Sequence, residues 1–271
     1  MLNPSSASGP WTGGPIRESI HCVLAGNPGP MTLDGTNTWL LAAPGATSGV
    51  VVDPGPDDEQ HLQAVLQVAR DQEVAIVATL LTHGHPDHAD GARRFAELTG
   101  TGVRALDPAH RYGGEGLGDG ETIEVDGLRL EVVGTPGHTA DSLSFLLPDL
   151  GALLTGDTVL GRGTAVVAHP DGRLGAYLDS LSRLQELSAT SELELLLPGH
   201  GPVLSRPVEV IGGYLAHRRA RLDQVREALA QGARTASDVV ATVYADVDPV
   251  LWPAAELSVL AQLTYLAEGP A

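Results

Sequence analysis

The stretch Leu80–Gly91, LLTHGHPDHADG, contains four closely spaced side chains that can bind metal ions. It follows an apolar run that is typical of a β-strand, so the histidines lie where that strand ends. Side chains two positions apart at a strand end point the same way, which lets His83 and His85 converge on one cation. Asp87 and His88 begin the next helix and can face a second cation. Mixed imidazole and carboxylate ligands suit zinc best, with iron and manganese as alternatives.

Two metal ions need more ligands than this stretch supplies, and three further candidates occur in a repeated context. Each follows an apolar run and is flanked by glycine: His138, Asp157 and His200. The C-terminal ends of strands meet at one edge of a sheet, and glycine lets the backbone of such loops approach closely. The sequence therefore predicts a dinuclear metal site whose ligands come from four strand-end loops.

Strands and helices alternate along the part of the chain that would position these loops. The segment DDEQHLQAVLQVARDQ has helical spacing of its apolar residues, and EVAIVATLLT is predicted to be a strand buried on both faces. The segment HADGARRFAELTG is predicted to be one helix that ends at Gly100. The dipeptide Asp126-Gly127 indicates a type I′ hairpin turn. Strands covered by helices in both halves predict an α/β fold of the four-layer αββα sandwich type.

The C-terminal region lacks strand patterns and is predicted to form a small helical unit, with one helix beginning after Thr235. We therefore divide the chain into a flexible tail (1–15), a catalytic domain (16–207) and a helical C-terminal domain (208–271). The first residues show neither the basic nor the apolar segment of a signal peptide, so none is expected.

Composition restricts the location and the partners of the protein. The formal net charge of −18 disfavours non-specific binding to nucleic acids, although a local basic patch remains compatible with it. Cys22 is the single cysteine, which excludes an intramolecular disulfide and fits a reducing compartment. No apolar run approaches the ~20 residues of a membrane span. The sequence predicts a cytoplasmic protein without a membrane or disulfide partner, and its oligomeric state stays open.

The motifs THGHPDH, GTPGHT, TGDT and PGHG occur in this order and resemble the metallo-β-lactamase superfamily over Ile20–Pro202. The resemblance implies two metal ions, expected to be Zn²⁺, and a hydroxide between them as the nucleophile. It implies two ligand groups and one shared carboxylate: His83, His85 and His138 for one ion, Asp87, His88 and His200 for the other, and Asp157 bridging both. Asp87 is also a candidate catalytic residue that orients the nucleophile.

Two features narrow the type of hydrolase. Antibiotic-degrading members generally lack the bridging carboxylate that matches Asp157. Only 42 residues separate Asp157 from His200, too few for the inserted domain of the β-CASP RNA-processing enzymes. The segments NPGPMTLDGTNTWLL, GDTVLGRGTAV and YLAHRRARLDQV resemble the β-lactamase-like protein 2 group. That group includes an endoribonuclease and ends in a small winged-helix-like unit.

Three hypotheses on function follow. The first is a dinuclear hydrolase that cleaves phosphodiester bonds of single-stranded RNA, as in the endoribonuclease. The second is a thioesterase or glyoxalase-type enzyme acting on a small-molecule thioester or ester, and the third is a non-catalytic binding module. Four cationic side chains are candidates for binding a substrate phosphate: Arg162, His217, Arg218 and Arg221. The alternative for the three residues on the helix is a solvated helix face.

Overall fold

A computed structural model describes residues 9–269, which form two six-stranded β-sheets with helices on their outer faces. The strands of the first sheet are adjacent in chain order: β1 (Gly14–Arg17), β2 (Ile20–Leu24), β3 (Asn37–Leu41), β4 (Ser48–Val52), β5 (Ala75–Leu80) and β6 (Val103–Arg104). The second sheet has the reverse order: β12 (Leu204–Ser205), β11 (Leu195–Pro198), β10 (Ala152–Gly156), β9 (Leu143–Leu147), β8 (Leu128–Gly134) and β7 (Thr122–Val125). Among the strand pairs of the described residues, β4–β5, β5–β6 and β10–β11 are parallel and the others are antiparallel.

Within residues 9–269, seven α-helices accompany the sheets: α1 (Glu59–Asp71), α2 (Pro86–Ala89), α3 (Ala92–Thr99), α4 (Leu174–Thr190), α5 (Pro207–Ala230), α6 (Ala236–Val243) and α7 (Trp252–Glu268). Short 3₁₀ turns cover Pro108–His110, Pro148–Leu150 and Pro249–Leu251. Helix α1 begins where the Asp58 side chain accepts a hydrogen bond from the backbone N–H of Gln60. The hairpin β7–β8 turns at Asp126 and Gly127, both at positive φ, as the predicted type I′ turn requires.

Alternating side chains along the strands build the four layers. Trp39 and Leu41 of β3 pack between the sheets against Phe145 of β9. The intervening Leu40 points outward into a cluster with residues of α1 and α3. On the second sheet, Leu146 similarly points outward toward α4 and α5. This two-residue periodicity gives each sheet one face toward its partner and one toward helices, which confirms the predicted αββα sandwich.

The C-terminal helices confirm the predicted helical unit. Thr235 caps α6 in a capping box with Asp238, so the helix begins where the sequence indicated. Helices α5 and α7 also contribute Ile211, Ala261 and neighbouring residues to the apolar cluster around α4. The C-terminal helices therefore share a core with the sandwich.

Helix α7 and the turn before it bear on the expectation that the chain has no membrane span. The segment Pro249–Glu268 is long and apolar enough to cross a membrane, by length and composition. A core helix of a globular protein meets the same criterion, and α7 buries Val259 in a cluster with residues of α5 and α6.

Three local predictions differ from the structure. Residues 1–8 of the predicted flexible tail, 1–15, lie outside the described residues. The rest of the predicted tail is ordered by contacts: Trp11 donates a hydrogen bond to Asn37, and strand β1 begins at Gly14. Strand β5 is buried on both faces only at its end, because β6 pairs only with its last two residues; Val77 is 45% exposed. The predicted single helix is divided into α2 and α3, since the Gly91 backbone N–H bonds to the carbonyl of Gly55.

His61 is a buried titratable group on α1, remote in sequence from the predicted metal ligands. Its side chain is 4% exposed, and its Nε2 lies 2.8 Å from the hydroxyl of Thr38. Burial disfavours the imidazolium and lowers the pKa of His61 to about 4. An unfolded chain would take up this proton near pH 6.5. The folded protein therefore loses stability relative to the unfolded chain as the pH falls from 6.5 toward 4.

We expect His61→Gln to remove this part of the pH dependence. The wild type should lose about 2 kcal/mol more unfolding free energy than the variant between pH 7.5 and 4.5, because each pK unit corresponds to about 1.4 kcal/mol. Urea unfolding of both proteins at the two pH values measures the difference. Equal losses in the two proteins would show that His61 is not buried in its neutral form.

Candidate metal centre

The seven predicted ligands lie together at one edge of the sandwich. His83 and His85 occupy the loop after β5, and Asp87 and His88 belong to α2. The other three follow separate strands of the second sheet: His138 after β8, Asp157 after β10 and His200 after β11. Strand β5 ends at Leu80, so the first two histidines lie on the loop rather than on the strand itself.

One group of ring nitrogens forms around His85. Its Nδ1 lies 3.1 Å from Nε2 of His83 and 3.0 Å from Nε2 of His138. These three histidines constitute one of the sets whose donor atoms all lie within 4.8 Å of one another. His83 and His138 are buried and His85 is half-buried, so one side of the group remains accessible.

A second group forms beside the first. Nε2 of His200 lies 3.1 Å from Oδ2 of Asp87 and 3.2 Å from Nε2 of His88. Asp157 lies between the groups: its Oδ1 is 3.5 Å from His88, and its Oδ2 is 3.6 Å from Nε2 of His138. The cluster can therefore offer ligands to metal ions on both sides of one carboxylate.

The hydrogen bonds behind two imidazoles determine which nitrogen faces the cluster. Nδ1 of His138 donates to the carbonyl of Val166 at 2.7 Å, and Nδ1 of His200 donates to the carbonyl of Gly35 at 3.1 Å. A carbonyl oxygen only accepts, so the proton of each neutral ring lies on Nδ1 and the lone pair on Nε2 points into the cluster. This is the arrangement of metal-binding histidines, whose second nitrogen is held by an outer acceptor.

A buried carboxylate oxygen of Asp157 and the close approach of the loop at Gly199 are also consistent with a bound cation. Oδ1 of Asp157 is buried and has no hydrogen-bond partner among the described residues. A buried carboxylate oxygen without a partner costs free energy unless a cation or proton compensates it. A Cβ atom on Gly199 would lie 2.4 Å from this same oxygen, so only glycine lets the loop approach the carboxylate here.

The pKa values of the histidines His83, His85, His88 and His200 shift in two opposite directions. Burial holds the pKa of His83 well below its ordinary range and also lowers that of His85. Burial opposes charge on His88 and His200 too, but Asp157 and adjacent carboxylates outweigh it. The pKa of His88 is therefore raised well above its ordinary value, and that of His200 rises to about 9. Burial would raise the pKa of Asp157, yet the charges of His200 and His88 hold it well below its ordinary value.

Asp53, which sequence reasoning did not assign to the site, supports it from behind. Its side chain is 1% exposed, and its Oδ2 lies 2.9 Å from Nδ1 of His88. Thr82 donates to both oxygens of this carboxylate, from its backbone N–H and from its hydroxyl, each at 2.7 Å. Asp53 lies in the segment VVDPG, directly after β4, which is the same strand-end context as the predicted ligands. That context was the signal that could have identified it.

The four predicted phosphate-binding side chains do not form one basic surface. Arg162 is paired with Asp34 on a neighbouring loop. Arg218 is 6% exposed and donates to a backbone carbonyl. Of the four, only His217 and Arg221 line a pocket of about 260 Å³ with side chains that are partly exposed. The exposed Met31 lines the same pocket.

We expect Asp53→Asn to weaken metal binding, because an amide has only one accepting oxygen. Its NH2 group would face either the backbone N–H of Thr82 or the N–H of His88, both of which the carboxylate accepts from. Loss of such an outer partner costs about 10- to 100-fold in metal affinity. Competition with a chelator of known zinc affinity measures the change on the purified protein. Asp57→Asn, an exposed residue four positions later, is the matched control. An unchanged zinc affinity in Asp53→Asn would contradict the supporting role.

Comparison with known proteins agrees with this geometry. The profile of the metallo-beta-lactamase superfamily matches residues 31–200, and that of the beta-lactamase associated winged helix domain matches residues 235–269. The chain is 35% identical to a beta-lactamase-like protein 2 homolog from Caenorhabditis elegans, over 85% of this chain and 78% of the relative. It is 32% identical to an atrochrysone carboxyl ACP thioesterase from Aspergillus fumigatus, over 82% of this chain and 72% of the relative.

A solved structure shows the same fold. The crystal structure of a metallo-beta-lactamase family protein from Thermus thermophilus superimposes with a TM-score of 0.76 at 24% identity, covering 94% of this chain and 98% of that one. The family profile covers more than half of the chain, and every residue of the His/Asp cluster lies inside the matched region. The chain belongs to the metallo-β-lactamase superfamily.

Proposed function

We propose that this protein is a dinuclear metal-dependent hydrolase, with zinc as the preferred metal. The observation that carries the proposal is the convergence of five imidazoles and two carboxylates on two adjacent positions. His83, His85 and His138 would hold one ion. Asp87, His88 and His200 would hold the other, with Asp157 shared. Nitrogen and carboxylate donors of this kind suit zinc, while iron or manganese are compatible with the same set.

Two such ions, when bound, would activate water at neutral pH and stabilise negative charge on a substrate oxygen. The protein's own contribution is to orient donors and to accept a proton. Asp87 is the more exposed of the two ligand carboxylates, with 27% of its side chain exposed against 10% for Asp157. We assign it the catalytic role of orienting the attacking water by accepting a hydrogen bond from it, while His200 holds the other side of the carboxylate.

For the substrate we propose single-stranded RNA, cleaved at a phosphodiester bond. Two observations support this. The chain resembles the β-lactamase-like protein 2 group, and a pocket that contains the Arg221 side chain borders the metal centre. Val166 connects the two, since its carbonyl accepts from His138 and the residue also lines the pocket. Arg221 is held there over the Tyr244 ring at 4.4 Å, which fixes a guanidinium group suited to one phosphate.

A thioester of a phosphate-bearing carrier is the second candidate. It is favoured by the similarity to a carrier-protein thioesterase and by the apolar residues Met31, Val247 and Leu251 in the same pocket. A phosphopantetheine thioester carries one phosphate and an acyl group, and the pocket of about 260 Å³ offers one fixed guanidinium for the former and apolar side chains for the latter. The cytoplasmic location stays a prediction from the sequence.

A substrate panel with metal quantification tests both candidates. We expect zinc-loaded protein to cleave single-stranded RNA, and Asp87→Asn to lower kcat by at least about 100-fold, as loss of a group that orients and deprotonates water does. Asp90→Asn, an exposed aspartate on the following turn, is the control and should keep full activity. Turnover of an acyl thioester with intact RNA would refute the RNA proposal. Turnover of neither substrate would favour a binding module.

Ionic strength provides an independent test of how RNA is bound. Since most of the predicted arginines are engaged within the chain, we expect only one or two phosphate contacts. For single-stranded nucleic acid this gives a loss of less than about tenfold in apparent affinity between 50 and 200 mM salt. Arg221→Met should raise KM for RNA and leave kcat within about twofold. A thousandfold salt effect would reveal a basic surface that the described residues do not present.

A further inference from the structure

The segment Asp157–Val167, which we term the bridging loop, contacts both metal-binding groups. It begins with the shared carboxylate of Asp157. The backbone N–H of Gly161 donates to the carbonyl of His200 at 2.8 Å, and the carbonyl of Val166 accepts from Nδ1 of His138 at 2.7 Å. The position of this loop therefore affects three of the seven proposed ligands directly.

Two tyrosines from the outer helices hold the first part of the bridging loop. The hydroxyl of Tyr177 on α4 donates to the carbonyl of Thr158 at 2.6 Å. The hydroxyl of Tyr214 on α5 accepts from the N–H of Leu160 at 2.9 Å and lies 3.0 Å from the carbonyl of Gly163, to which it can donate. Both tyrosines are fully or almost fully buried, so water does not compete for these hydrogen bonds.

Arg218 holds the last part of the loop. It lies one helical turn after Tyr214 on α5, so both side chains leave the same helix face. Its guanidinium stacks over the Tyr177 ring at 4.9 Å and donates from Nη2 to the carbonyl of Ala165, the residue before Val166. The side chain is 6% exposed, and its Nε has no hydrogen-bond partner among the described residues.

A buried guanidinium is costly, because desolvation of a charge is only partly offset by two contacts. The group is also screened from solvent, which is unfavourable for a residue that must meet a phosphate from outside. The structure uses it instead to fix a peptide unit adjacent to the acceptor of His138. This arrangement distinguishes Arg218 from Arg221, which is only half-buried.

We infer that Arg218 is a positioning residue: through Ala165 and Val166 it orients the His138 imidazole, so that helix α5 controls one of the two metal-binding groups. The inference rests on the proposed function in that His138 is taken as a metal ligand. It gives helix α5 a role in the metal centre through hydrogen bonds to the backbone of the bridging loop. It also replaces substrate binding as the assignment for Arg218.

Metal titration of the full-length protein in the absence of substrate tests the inference. Cobalt binding followed by visible absorption, together with zinc calorimetry, should resolve two binding steps, and His138→Ala identifies the step that involves His138. We expect Arg218→Met to weaken that step about 10- to 100-fold and to change its cobalt spectrum, while the other step changes less than about threefold. Arg218→Lys should recover part of the affinity, because an ammonium group can donate one hydrogen bond to Ala165.

Arg219→Met is the matched control, since this neighbouring arginine is exposed, and it should bind both ions as the wild type does. If Arg218→Met does not fold, Tyr214→Phe decides, because it removes only the hydroxyl that holds the same loop; we expect about tenfold weaker binding. A folded variant with wild-type affinity at both steps, or with equal loss at both, would overturn the inference. Failure of the wild type to bind two ions would refute the proposed function and, with it, this inference.

Discussion

The structure depends on one constraint: several imidazole nitrogens must direct their lone pairs toward a common buried position. For three of the rings the opposite nitrogen has a fixed acceptor: the backbone carbonyl of Gly35 for His200, that of Val166 for His138, and the carboxylate of Asp53 for His88. Those acceptors belong to loops that are far apart along the chain. The sandwich brings these loops to one edge and keeps them there.

The two sheets meet this constraint through their strand ends. Interdigitated side chains such as Trp39 and Phe145 fix the distance between the sheets, so the loops that follow β5, β8, β10 and β11 keep a constant separation. The longest of the metal-centre loops, after β10, is not stabilised by sheet pairing. Buried side chains of α4 and α5 hold it instead, which explains why the C-terminal helices share a core with the sandwich.

Local sequence pattern did not reveal the short strands β1, β6 and β12, but it predicted most of the longer elements, the sandwich type and the seven side chains that the structure brings together. Their recognition needed only strand ends, glycines and ligand chemistry, all visible in short stretches. Asp53 was missed because a buried aspartate after a strand reads as a turn residue until its partner, His88, is placed beside it. The sequence also did not show that the Arg218 side chain points into the protein, since helical periodicity does not reveal which helix face contacts a loop. The division between α2 and α3 likewise depends on a contact with a distant loop.

The origin of the proposed ligands has a mechanical consequence. Four of them, His83, His85, Asp87 and His88, follow the first sheet, and the remaining three follow the second. Each ion would therefore draw ligands from both sheets and fasten the two halves of the sandwich across their open edge. Binding free energy would become folding free energy, with the ion acting as a removable cross-link that neither sheet could retain by itself.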